Sequence, residues 1–83
     1  MSMSFNVYVL QSEKSGILYT GFTENLNRRI HEHNTGKSKF TSGHMPWKII
    51  YTEVVDNRLE ARKREKYLKS ATGKRFLKKL FST

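Results

Sequence analysis

Phe5-Asn6-Val7-Tyr8-Val9-Leu10-Gln11, then Ser12-Glu13-Lys14-Ser15-Gly16, then Ile17-Leu18-Tyr19-Thr20-Gly21-Phe22: this run of the chain decides its fold. Phe5, Val7 and Val9 alternate with Asn6, Tyr8 and Leu10. A period of two with β-branched and aromatic enrichment is the mark of a strand. The middle five residues carry turn chemistry, and Gly16 is free to take φ > 0. Ile17 to Phe22 reads as a second strand, so the run forms an antiparallel hairpin. With Ser12 to Ser15 as a four-residue loop, Gln11 pairs with Gly16, and counting back sets Tyr8 directly opposite Tyr19. That register hangs on loop length, because a one-residue slip turns every side chain to the other face.

Working outward, Thr23 or Asn25 is placed to cap a helix from Leu26 to about Asn34, ended by Thr35-Gly36. At about 100° per residue, Leu26, Ile30 and His33 share one side of it, with Arg29 beside them. Lys37 to Pro46 is a polar loop, long enough in so small a domain to suggest function. Trp47 to Val55 is a third strand. Asn57 three residues before Glu60 resembles a capping box, opening a helix through Lys69. Thr72-Gly73 is expected to break it, and a short third helix carries Phe76, Leu77, Leu80 and Phe81. The order ββαβαα predicts an α+β fold: a three-stranded sheet flanked by about three helices. One domain is expected over residues 1–83, with its core at about 5–81.

Sixteen Lys and Arg stand against seven Asp and Glu, a formal net charge of +9 in 83 residues. Such a field gathers polyanions, which points to DNA or RNA first and an anionic membrane second; nucleic acid, DNA more than RNA, is the expected partner. A basic surface kept for solubility is the plainer alternative, and charge alone says nothing about cutting. With no cysteine there is no disulfide framework, thiolate nucleophile or cysteine zinc site. No run approaches the roughly 18 apolar residues of a membrane span. Met1-Ser2-Met3-Ser4 lacks the basic start and apolar stretch of a secretion signal, so cytoplasm is the expected compartment and no membrane partner is expected.

Two helical positions sit awkwardly for a plain core. Glu65 projects between Ala61 and Leu68, which mark an apolar stripe, and Arg29 and His33 border the stripe of Leu26 and Ile30. A carboxylate near an apolar face has to be paired, metal-bound or at the edge of burial, because desolvating it alone is costly. From spacing alone, pairing with Arg29, or with Lys69 at i+4, accounts for Glu65 slightly better than a metal does. Tyrosines on strands are usually packing. Taken together, though, two phenols, an arginine, a histidine and a glutamate on inner faces hold a proton acceptor, a phosphate clamp and one hard oxygen ligand for Mg²⁺.

These segments resemble the GIY-YIG nuclease superfamily. Asn6-Val7-Tyr8 stands for its first signature half, and Tyr19-Thr20-Gly21, after ten intervening residues, for its second. Leu26-Asn27-Arg28-Arg29-Ile30-His31-Glu32-His33-Asn34 resembles the family's L-x-R-R-x-x-x-H-N helix. Phe40-Thr41 with Pro46-Trp47-Lys48, and Glu60-Ala61, Arg64-Glu65 and Leu68-Lys69, resemble the small single-domain bacterial branch. That branch is itself similar to the N-terminal nuclease domain of the excision-repair incision subunit. Asn6 and Val7 replace the signature glycine and isoleucine, and Phe22 stands where some members carry a lysine.

The resemblance implies an endonuclease that hydrolyses DNA phosphodiester bonds with Mg²⁺ or Mn²⁺, on structured DNA in repair or recombination. It implies Tyr8 as general base, Tyr19 orienting water and the scissile phosphate, and Arg29 binding that phosphate. It also implies His33 assisting Tyr19 or a phosphate oxygen, and Glu65 as sole protein ligand of the metal. Lys37, Lys39, Arg62, Lys63, Lys66 and Lys69 are the expected nucleic-acid contacts. Two other readings stand beside it: a nucleic-acid-binding module of weak or no turnover, and a nuclease subunit that needs a protein partner for targeting. Oligomeric state is not legible.

Overall fold

The hairpin forms, but two residues out of the register that a Ser12–Ser15 loop would set. In the structure, a computed structural model describing residues 4–81, strand β1 spans Phe5–Ser12 and strand β2 spans Leu18–Thr23. The opening Met1-Ser2-Met3 lies outside the described residues. Ser12 belongs to the ladder and not to the loop. Its N–H donates to the Ile17 carbonyl at 2.9 Å and its carbonyl accepts from Gly16 N–H at 2.9 Å. Its buried hydroxyl accepts from the N–H groups of Lys14 and Ser15 at 3.1 and 2.9 Å. The side chain thus organises a turn over residues 13–16, with Gly16 at φ 81. Gln11 therefore pairs with Leu18, Leu10 with Tyr19 and Tyr8 with Gly21, which corrects the Tyr8–Tyr19 pair expected from loop length. A displacement of two residues is one full pleat repeat, so no face changes. Tyr8 and Tyr19 remain diagonal neighbours, ring centroids 6.4 Å apart.

Strand β3, Trp47–Val55, joins the other edge of β1 and completes an antiparallel sheet of order β2-β1-β3. Helices α1 (Leu26–Asn34), α2 (Arg58–Lys69) and α3 (Ala71–Phe81) flank it, giving the α+β ββαβαα order that the sequence implies. β1 is buried on both faces. Phe5, Val7 and Val9 pack with Ala61, Leu68 and Leu77 of α2 and α3. Tyr8 and Leu10 pack with Trp47, with Leu26 and Ile30 of α1 closing over them. The α1 stripe falls where helical periodicity puts it. Asn25 and Asn57 cap α1 and α2 through bonds from Arg28 N–H at 3.0 Å and Glu60 N–H at 2.9 Å. No helix among the described residues is long and apolar enough to cross a membrane.

The break after α2 comes at Ser70, not at Thr72-Gly73. Ser70 leaves helical geometry (φ -75, ψ 166), and its hydroxyl accepts from Gly73 N–H at 3.2 Å, capping α3. Gly73 thus sits inside a helix, and packing is the reason. A Cβ there would collide with the Tyr67 carbonyl and lie 2.6 Å from the Leu68 Cα, so only glycine lets the two helices meet. Gly73→Ala is expected to destabilise the fold by about 3 kcal/mol, the upper range for overpacking. That corresponds to roughly 15 °C in melting temperature for a domain of this size. An unchanged thermal melt would show that α2 and α3 do not approach so closely.

α2 is also fastened to β3. Arg64 reaches Glu53 with two hydrogen bonds, at 2.6 and 3.0 Å, and Tyr51 OH donates to the same carboxylate at 2.7 Å. Arg64 holds the Glu53 carboxyl below the usual carboxylate range. Of the adjacent pair Arg64-Glu65, the arginine is therefore spent on architecture, which leaves the glutamate turned toward the β2 edge.

Candidate active site

Between the β2 edge, α1 and α2 lies an open polar cavity of about 450 Å³, lined by Tyr8, Tyr19, Gly21, Phe22, Arg29, Arg62, Glu65 and Lys66. Each side chain arrives by a local rule. Tyr8 and Tyr19 come from one face of the hairpin, Arg29 from the border of the α1 stripe, and Glu65 from between Ala61 and Leu68. Gly21, opposite Tyr8, is part of the construction: a Cβ there would sit 2.7 Å from the Tyr8 hydroxyl. Its absence lets the phenol lie across the neighbouring strand.

His33 is fully buried behind the cavity. Its Nε2 lies 3.1 Å from Tyr8 OH and its Nδ1 2.8 Å from Thr41 Oγ1. The Thr41 hydroxyl donates to the Ser38 carbonyl at 3.4 Å, so it accepts from His33 Nδ1–H, and Nε2 accepts from Tyr8 O–H. This corrects the expectation that His33 serves Tyr19 or a phosphate oxygen. Its partner is Tyr8, burial keeps it from any phosphate, and Tyr19 only leans on its ring, centroids 4.9 Å apart. Thr41 was not foreseen. Its only mark in the sequence is the Phe40-Thr41 pair, eight residues past His33 in a loop whose path periodicity does not give.

Burial dominates the electrostatics. It pushes the Tyr8 phenol up to about 12, with the Arg29 guanidinium pulling the other way. The same burial, aided by Arg29, lowers His33 to about 4. Near neutral pH both are uncharged. Arg29 is raised further above its already high value, first by Glu32, with which it pairs at 2.9 Å, and then by Tyr8 and Tyr19. Neither ion pair takes the Glu65–Arg29 form: Glu65 receives Lys69 Nζ at 3.2 Å, its i+4 neighbour. Of the expected nucleic-acid contacts, Arg62 and Lys66 line the cavity and Lys69 borders it. Lys63 is paired with Glu60 at 3.7 Å, and Lys37 and Lys39 lie exposed on the loop beyond α1.

His33 makes the fold acid-sensitive. The unfolded imidazole binds a proton below about 6.5, whereas the folded one does so only below about 4. Protons thus favour the unfolded chain, and stability falls as pH drops through that window. The loss should approach roughly 3 kcal/mol and level off below it. Urea midpoints measured from pH 7 to pH 4 should show this decline, and His33→Gln should flatten it. An equal slope in the variant would assign the effect to other groups.

The description "GIY-YIG catalytic domain" matches residues 4–79. This chain belongs to the GIY-YIG family. A UPF0213 protein of Clostridium perfringens is 46% identical over 67 residues, covering 80% of this chain and 71% of that protein. A UPF0213 protein of Streptococcus agalactiae is 40% identical over 67 residues, covering 80% and 75%. The solution NMR structure of a UPF0213 protein from Bacillus halodurans matches with a TM-score of 0.58 and 34% identity, covering 95% of this chain and 86% of that one. The chain is thus one of the small UPF0213-type GIY-YIG proteins, as its four quoted segments imply. GIY-YIG is a nuclease family whose members generally use divalent metals, and nucleic acid is the partner class it brings.

Among the described residues no three His, Asp or Glu side chains cluster as a metal cage. One half-buried carboxylate on an open polar cavity is nonetheless a donor set that suits Mg²⁺ or Mn²⁺. Mg²⁺ in particular keeps most of its waters and needs few protein ligands.

Proposed function

We propose that this chain is a divalent-metal-dependent endonuclease that hydrolyses DNA phosphodiester bonds. The observation that carries the reading is the convergence of Tyr8, Tyr19, Arg29 and Glu65, from four separate segments, on one cavity. Arg29 binds the scissile phosphate and faces the charge that grows on it in the transition state. Tyr19, partly exposed at the cavity wall, orients the attacking water. Tyr8 accepts that water's proton while its own passes to His33 Nε2, which is neutral and directed at it by Thr41. Glu65 would hold the divalent metal, which would supply Lewis acidity toward the phosphate and the leaving oxygen. Lys69 has to release Glu65 for that, and a phosphate is a natural alternative partner for its ammonium. Arg62 and Lys66 track the backbone, so affinity should fall steeply with salt.

The second reading, nucleic-acid binding without turnover, draws on the Lys69–Glu65 pair at 3.2 Å, which neutralises the one carboxylate ligand. One experiment separates the two. The purified chain is incubated with branched, mismatched, duplex and single-stranded DNA, and with RNA, in Mg²⁺, Mn²⁺ or EDTA. Metal-dependent scission of any DNA supports the nuclease. Salt-sensitive retention with no scission in either metal supports the binding module.

A further inference from the structure

Phe40 belongs to a segment that the nuclease reading leaves unused, and its surroundings give it a task. It is 66% exposed, more than Phe81 at 49%, and it sits beside Tyr19 with ring centroids 5.9 Å apart and planes tilted by 37°. A lone exposed apolar side chain is ordinary, but Phe40 stands in a group with exposed Ile17 and Leu18 and with Tyr19. Phe40, Ile17, Leu18 and Tyr19, with Lys69 and Lys74, line a second cavity of about 760 Å³. Tyr19 belongs to both cavities, so the two adjoin along the free edge of β2. Apolar and aromatic walls edged by two ammonium groups match a flat base attached to a phosphate, in shape and in charge.

We propose that Phe40 is a stacking platform for an unpaired nucleobase of the strand whose neighbouring phosphate lies at Arg29. This rests on the nuclease reading and deepens it by naming the substrate class: a strand with an unstacked base beside the cut. In a duplex the stacked neighbours above and below cover both faces of each base, leaving none for Phe40. Base–aromatic stacking is sequence-tolerant, since every base has a π-face. Lys69 and Lys74 take the phosphate that follows the stacked base.

The test is binding in EDTA at one fixed salt concentration, so that no cleavage enters it. The probe is a short single strand carrying 2-aminopurine, compared with its own duplex. The wild-type chain is expected to hold the single strand more tightly and to quench the fluorophore. Phe40→Ala should lose the quench and weaken single-strand binding about tenfold, with duplex binding unchanged, and Phe40→Tyr should restore both. Equal single-strand affinity in wild type and Phe40→Ala, or an equal loss for duplex and single strand, overturns the stacking role. Those outcomes leave the nuclease reading standing, because that reading falls only if Mn²⁺ produces no scission by the wild-type chain. Absence of binding to either probe overturns the stacking role, while the nuclease reading still stands or falls on the scission assay.

Discussion

Tyr8→Phe should cut single-turnover scission by about three orders of magnitude while leaving nucleic-acid affinity within a few-fold. Tyr8 lines the cavity and its hydroxyl makes the hydrogen bond to His33, while the phenol already fills the space beside Gly21. Removing one oxygen therefore removes the proposed proton acceptor without opening a hole. It also strands His33 Nε2, a buried acceptor with no other partner shown, at a cost of about 1–3 kcal/mol in stability. A thermal melt separates that loss from the kinetic one. The pH profile carries the finer test. If turnover required a phenolate formed beforehand, a phenol at about 12 would make the rate rise tenfold per pH step throughout the range 6 to 9. If the proton passes through Tyr8 to His33 during attack, neither group titrates there, and these two set no slope. The relay predicts the shallow profile. A Tyr8→Phe variant that cleaves within tenfold of wild type would remove Tyr8 from the proton path altogether.

The fold was legible because its signals are local. Alternation in Phe5–Leu10, the Asn25 and Asn57 caps and the Leu26–Ile30 stripe each report on a few neighbouring residues. Hairpin parity survived the wrong register, since an error of two residues preserves every face. The failures share the opposite property. Gly73 reads as a breaker because glycine weakens helices, and only the approach of Tyr67 and Leu68 shows why a helix keeps it. The resemblance directs His33 to Tyr19 or a phosphate oxygen, but the hydrogen bond to Tyr8 depends on a second nitrogen set by Thr41, whose position follows an irregular loop. Glu53 was invisible as the partner of Arg64, eleven residues away across a strand–helix junction. The candidate site's residues are legible as types at suggestive spacings, whereas their pairings are not.

Glu65→Gln should separate binding from chemistry more sharply than any other substitution. The amide keeps the size and much of the hydrogen-bonding reach of the carboxylate, so α2 should pack as before. Its buried neighbours Ala61 and Leu68, with the Arg64–Glu53 clamp, hold the helix without it. What disappears is one negative charge in a cavity otherwise lined by Arg29, Arg62 and Lys66. Scission in Mg²⁺ or Mn²⁺ should fall by about 10³-fold or more, the equivalent of roughly 4 kcal/mol of transition-state stabilisation lost with the metal. Metal affinity, read by titration of Mn²⁺ with electron paramagnetic resonance, should weaken alongside. DNA affinity in EDTA should move in the opposite direction and tighten, because the carboxylate repels phosphate and Lys69 is freed from its 3.2 Å pair to meet one. A merely structural glutamate would produce neither the opposed signs nor the metal dependence. Wild-type scission in Glu65→Gln would strip this carboxylate of its role, and a loss of DNA binding equal to the loss of scission would mean that the substitution had disturbed the groove itself.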